Sequence, residues 1–79
     1  MYLTDELVAE IRLLSLFNLA SHQEGVKVHH DAELQLVDAA KRLFAKGLTT
    51  QADGGYLTDL GVEAAEHAQR MLTILNVKS

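Results

Sequence analysis

Apolar residues recur at helical spacing in three stretches of this chain, separated by short polar or glycine-bearing joints. The first stretch opens at Thr4, whose hydroxyl can accept a free amide at a helix start. Asp5 and Glu6 follow in the first turn, where acidic groups complement the helix dipole. Leu7, Ile11 and Leu14 then form one stripe. Beyond it, Leu13, Leu14, Leu16 and Phe17 point in nearly every direction around a helical axis, more than one buried face can absorb. Either the helix runs through the centre of the fold or its far side meets another subunit. A domain this small has little material to surround a helix, so a second subunit is the expectation.

Asn18 to Gly25 is polar and ends that helix, and Val26-Lys27-Val28 alternates as a short strand. Asp31 predicts the N-cap of a second helix running to about Lys46, with Gly47 just past its end. Its expected buried face is Leu36, Val37, Ala39, Ala40, Leu43 and Phe44. Its outer face carries Gln35, Asp38, Lys41, Arg42 and Lys46, with Leu34 among them. Leu48 to Gln51 predicts a strand and Tyr56-Leu57 its returning partner. Asp53-Gly54-Gly55 predicts the turn between them, because positive φ costs glycine little. Thr58 caps a last helix to about Leu75, with Leu60, Ala64, Ala68, Met71, Leu72 and Leu75 on its apolar side. Glu63–His67 and Glu66–Arg70 are spaced for i,i+4 support. The expected fold is therefore α+β and mainly helical: three main helices and a two- or three-stranded antiparallel ribbon, in one domain over residues 1–79.

Composition narrows the function classes. The chain has no cysteine, which excludes disulfides and thiolate metal sites and suits a reducing cytoplasm. Its start is acidic rather than basic, against a secretory signal, and no apolar run approaches the roughly 20 residues that span a bilayer. With seven Lys and Arg against eleven Asp and Glu, the formal charge of −4 repels phosphate, so any nucleic-acid contact needs a local basic patch.

The run Ala39-Ala40-Lys41-Arg42-Leu43-Phe44-Ala45-Lys46-Gly47-Leu48-Thr49, followed by Asp53-Gly54-Gly55-Tyr56-Leu57-Thr58-Asp59-Leu60-Gly61, resembles the winged-helix repressors. In those families a helix ends in Leu-x-x-x-Gly-Leu, a hairpin wing follows, and Leu-Thr-x-x-Gly opens the closing helix. Leu43, Gly47, Leu48, Leu57, Thr58 and Gly61 occupy those places. The resemblance covers about half the chain and implies a winged-helix-like architecture. It departs from the repressors in two ways. The segment from Asn18 to His30 is short and polar where a further helix is usual, and the hairpin tip carries Asp53 without Lys or Arg. The whole chain also resembles a family of short bacterial proteins with no assigned function, through Gln23-Glu24-Gly25-Val26-Lys27-Val28-His29 and Gln51-Ala52-Asp53-Gly54-Gly55-Tyr56-Leu57-Thr58. That resemblance implies no site residues.

No constellation in the sequence points to catalysis, and no cofactor or metal is expected. His29 and His30 are adjacent in an extended segment and point to opposite sides, no recognised ligand spacing joins His22 to them, and Gly54-Gly55 lacks the lysine and spacing of a phosphate loop. Two readings stand. One is a protein-interaction module, expected as a homodimer, with Leu13, Leu16, Phe17, Leu72 and Leu75 at the interface. The other is a winged-helix transcription regulator contacting nucleic acid through Gln35, Lys41, Arg42 and Lys46.

Overall fold

The computed structural model describes residues 2–21 and 24–77. The elements run α1 (Asp5–Leu14), β1 (Val26–Lys27), α2 (Leu34–Ala45), β2 (Thr49–Gln51), β3 (Gly54–Leu57) and α3 (Asp59–Leu75). Three helices and one three-stranded antiparallel sheet make the expected α+β arrangement.

Both predicted threonine caps form. Thr4 Oγ1 accepts from the Leu7 amide and Thr58 Oγ1 from the Gly61 amide, each at 3.1 Å, so each helix start gains a partner for an otherwise free donor. The second helix starts later than expected. Asp31 is not its cap: the Ala32 amide bonds the His29 carbonyl in a turn, and α2 begins at Leu34 after Glu33, without a side-chain cap. At its other end the Leu48 amide closes on the Leu43 carbonyl across Gly47, as the glycine signal predicts.

The sheet has the order β1-β3-β2, so Val26-Lys27 joins the hairpin as its third strand. The hairpin loop differs from the expected one. Gln51 pairs with Gly54 and Thr49 with Leu57, which leaves one extra residue on β3. The two glycines thus belong to the strand, at a bulge, and the loop is Ala52-Asp53. Thr50 Oγ1 accepts the Tyr56 amide across the irregularity at 3.0 Å. Gly54 has φ +121°, and a Cβ there would strike the Val26 carbonyl, so the central strand can approach β1 only with glycine at this place.

Ala9, Leu13, Leu14, Phe17, Val28, Ala39, Ala40, Leu43, Ala65 and Ala68 are the buried apolar side chains. Small residues dominate, so the helices approach closely. α1 lies mainly on α2 and secondarily on α3. Gln69 of α3 donates to the carbonyls of Leu14 (3.2 Å) and Phe17 (2.7 Å), and Phe17 shares a cavity with Leu57 and Val62. The end of α1 and the turn after it are thus held against α3.

Two interface expectations need correction. Leu13 (0% exposed) and Phe17 (3%) are enclosed within their own chain and offer nothing to a second subunit. The reason is local: α1 ends at Leu14, the amides of Leu16 and Phe17 turn back onto the carbonyls of Leu13 and Leu14, and this turn swings Phe17 inward. Of the four crowded residues only Leu16 is left outside. The apolar face of α3 is also rotated from the expected one. Gly61, Ala65 and Ala68 form the buried seam and Leu72 is half-buried, whereas Leu60, Met71 and Leu75 are exposed. Phe44, expected inside, is likewise exposed.

Candidate functional site

Glu10 is 5% exposed and stands at the α1–α2 contact. One of its oxygens accepts from Arg42 Nε at 3.1 Å, and the other is bonded by Lys46 Nζ. Arg42 also donates to the Glu6 carbonyl at 3.1 Å and lies 3.6 Å from the Glu6 carboxylate. A buried carboxylate is costly unless its lone pairs find cations. Here Glu6 and Glu10, four apart on α1, face Arg42 in the last turn of α2 and Lys46, its C-cap, four residues on. That matched pair of doublets is visible in the sequence only once the two helices are known to touch, because acidic residues ordinarily lie at the surface.

The consequence for the four expected nucleic-acid residues is direct. Gln35 and Lys41 are exposed, but Arg42 is half-buried, and Arg42 and Lys46 are both turned onto Glu10. The structure does not bring the four together as one positive ridge. Lys41 instead borders a groove of about 600 Å³ between α2, the end of β1 and the hairpin tip, with Lys27, His29, His30 and Asp53 around it and Val37 and Ala40 along one wall. The Val28 amide bonds the Asp53 carbonyl at 2.8 Å and ties two sides of that groove together. Lys27 and Lys41 make no ion pair among the described residues, whereas Arg12, Arg42 and Lys46 do. No helix is found among the described residues between α1 and α2.

The exposed apolar surface has a different centre. On α3, Leu60 (53% exposed), Met71 (42%), Ile74 (56%) and Leu75 (71%) are open, with Val77 just beyond. Leu60, Ala64, His67, Met71 and Ile74 follow one another at intervals of four, three, four and three residues, the spacing of a continuous stripe along one side of a helix. That stripe lies beside the buried seam of Gly61, Ala65 and Ala68, not on it. Leu34 and Phe44 on α2 are exposed singly and form no stripe. Of the expected interface residues, Leu16 and Leu75 are exposed and Leu72 is half-buried.

Glu63–His67 and Glu66–Arg70 do not close into ion pairs among the described residues. His29 and His30 are exposed; His22 lies outside the described residues. No group of three or more His, Asp or Glu side chains among the described residues could hold a metal ion, and no described helix is long and apolar enough to cross a membrane.

The model of a family of unknown function, DUF5669, matches the chain over residues 1–76. No curated protein and no solved structure matches it.

Proposed function

From the premise that this chain belongs to DUF5669, a family of unknown function, we propose that it is a winged-helix-like, non-catalytic interaction module that works as a homodimer. The observation that carries the reading is the open apolar stripe of α3, with Leu60, Met71, Ile74 and Leu75 all exposed in so small a domain. Apolar surface gathered along one helix face, rather than scattered, is what association buries. A 79-residue chain gains from such burial, because it closes only a small core of its own. The winged-helix-like part is supported by the order helix, hairpin, helix across Leu43, Gly47, Leu57, Thr58 and Gly61. The setting in this reading is the cytoplasm, which suits a sequence without cysteine.

The interface in this proposal is moved from Leu13 and Phe17 to α3. Sedimentation of the wild type from micromolar to submillimolar concentration tests it. A dimer is expected, and Ile74→Glu should weaken it at least about tenfold, since a charge in an apolar contact is desolvated without a partner. Wild type that sediments as a monomer throughout would remove the reading.

A second reading is favoured by one observation. Lys27 and Lys41 share the groove beside the hairpin with Asp53 and make no ion pair among the described residues, and they are the cations a nucleic-acid-binding regulator would use in place of Arg42 and Lys46. Gel retardation of duplex DNA at low salt is then expected for wild type and lost in Lys41→Glu; no retardation of any duplex disposes of it.

A further inference from the structure

Resting on the homodimer reading, we infer that two copies pair through α3 in antiparallel orientation, with Glu63 of each copy against Arg70 of the other. Leu60, Ala64, His67, Met71 and Ile74 alternate at the four-and-three spacing that lets one helix seat its side chains between those of another. Two edges border this stripe. Gly61, Ala68 and Leu75 lie on the edge nearer the chain's own core, where Gly61 and Ala68 are buried. Glu63 and Arg70 lie on the other edge, each one residue ahead of a stripe position, and both are exposed and make no ion pair among the described residues.

Orientation follows from these two charges. In a parallel pair, each outer-edge position faces an inner-edge position of the second helix. Glu63 would then meet Gly61 or Ala68, and neither charge would find a partner. In an antiparallel pair, outer edge faces outer edge. Setting Leu60 against Met71 and Ala64 against His67 places the two-fold axis between Ala65 and Glu66. Glu63 of one copy then lies within about two residues of Arg70 of the other, and symmetry makes the pair twice. The small Ala64 opposite the larger His67 fits the close approach. The same register carries Ile74 and Leu75 past the start of the second copy's α3. Another copy of this chain is the occupant whose charges match the edge.

Charge exchange and cross-linking test this register. In sedimentation equilibrium, Glu63→Arg and Arg70→Glu should each weaken the dimer roughly tenfold, because each variant sets like charges together at two places. The double variant Glu63→Arg with Arg70→Glu should recover most of the loss. The chain has no cysteine of its own, so a mixture of the Leu60→Cys and Met71→Cys proteins reports the layers cleanly. Under mild oxidation the mixture should give a disulfide-linked heterodimer, and Leu60→Cys alone should not link. A wild type that stays monomeric overturns the homodimer reading and this inference with it. A dimer that ignores both charge reversals, or in which Leu60→Cys links to itself, overturns the antiparallel register alone.

Discussion

Arg42 reaches across the α1–α2 contact to Glu10, its Nε 3.1 Å from a carboxylate oxygen that is almost wholly removed from water. Lys46 takes the second oxygen of the same group. The arrangement distinguishes two neighbouring cations on one helix. Arg42 holds the fold together, and Lys41, which makes no ion pair among the described residues, does not. Arg42→Glu should therefore lower the urea midpoint clearly, by about 2–4 kcal/mol of stability, because it leaves Glu10 facing a like charge. Lys41→Glu should stay within about 0.5 kcal/mol of wild type, as surface substitutions usually do. Equal midpoints for the two variants would refute the assignment. The comparison also matters for any nucleic-acid assay, since loss of binding in Arg42→Glu could come from unfolding alone.

Gly61 is helical and needs no unusual φ, yet it has no room for a side chain. A Cβ there would meet the Leu48 carbonyl, and Leu57 Cδ2 stands at 3.1 Å. The start of α3 sits this close because Thr58 bonds back to the turn after α2, its amide to the Leu48 carbonyl and its hydroxyl to the Gly47 carbonyl. Gly61→Ala should cost about 2–3 kcal/mol despite the higher helix propensity of alanine, since overpacking against backbone is poorly relieved. A thermal midpoint equal to or above that of wild type would show that the contact can yield.

These positions also mark what the sequence made legible. Caps and turns are short-range, so Thr4, Thr58, Gly47 and the hairpin were all readable from a few residues each. The start of α2 was not, because Asp31 has cap chemistry and lies in a turn that competes for it. Side-chain periodicity finds apolar stripes but cannot say what covers them. On α3 two stripes overlap, and the seam that faces the core is the one with the smaller residues, because Gly61, Ala65 and Ala68 let the neighbouring elements come nearer. Leu60 and Met71 share helical spacing with Ala64 and Ala68, so periodicity puts them on the apolar side although they are exposed. Phe17 shows the opposite error: extending α1 by three residues turned a core side chain into an exposed one.

Phe17 now predicts a specific result. Its side chain is buried between the end of α1, Leu57 and Val62. Phe17→Ala should destabilise the chain by about 3–4 kcal/mol through lost burial and the space left behind. The effect belongs to folding, so under conditions where the variant remains folded its association constant should match that of wild type. A variant of undiminished stability that had lost only self-association would restore Phe17 to the interface.

Gln69 ties α3 to the end of α1 through two bonds that a carboxylate in its place would lose as pH rises. Its amide nitrogen donates to the carbonyls of both Leu14 and Phe17 just where α1 ends, and the Leu14 carbonyl also accepts the Phe17 amide in a longer 3.4 Å turn bond. Gln69→Leu removes both bonds and should cost about 1–3 kcal/mol. Gln69→Glu keeps the shape and inverts the chemistry, because an ionised carboxylate has no proton to give and faces two carbonyl oxygens. When protonated, it can donate one bond. The folded state thus favours the neutral acid and raises the introduced group's pKa above the unfolded value of about 4.3. The variant's stability relative to wild type is then greatest below that value and falls as pH rises through the folded pKa. Gln69→Glu should fall short of wild type by about one hydrogen bond near pH 4 and melt well below it at pH 7. A deficit that stays constant across this range would mean that Gln69 does not serve these two carbonyls.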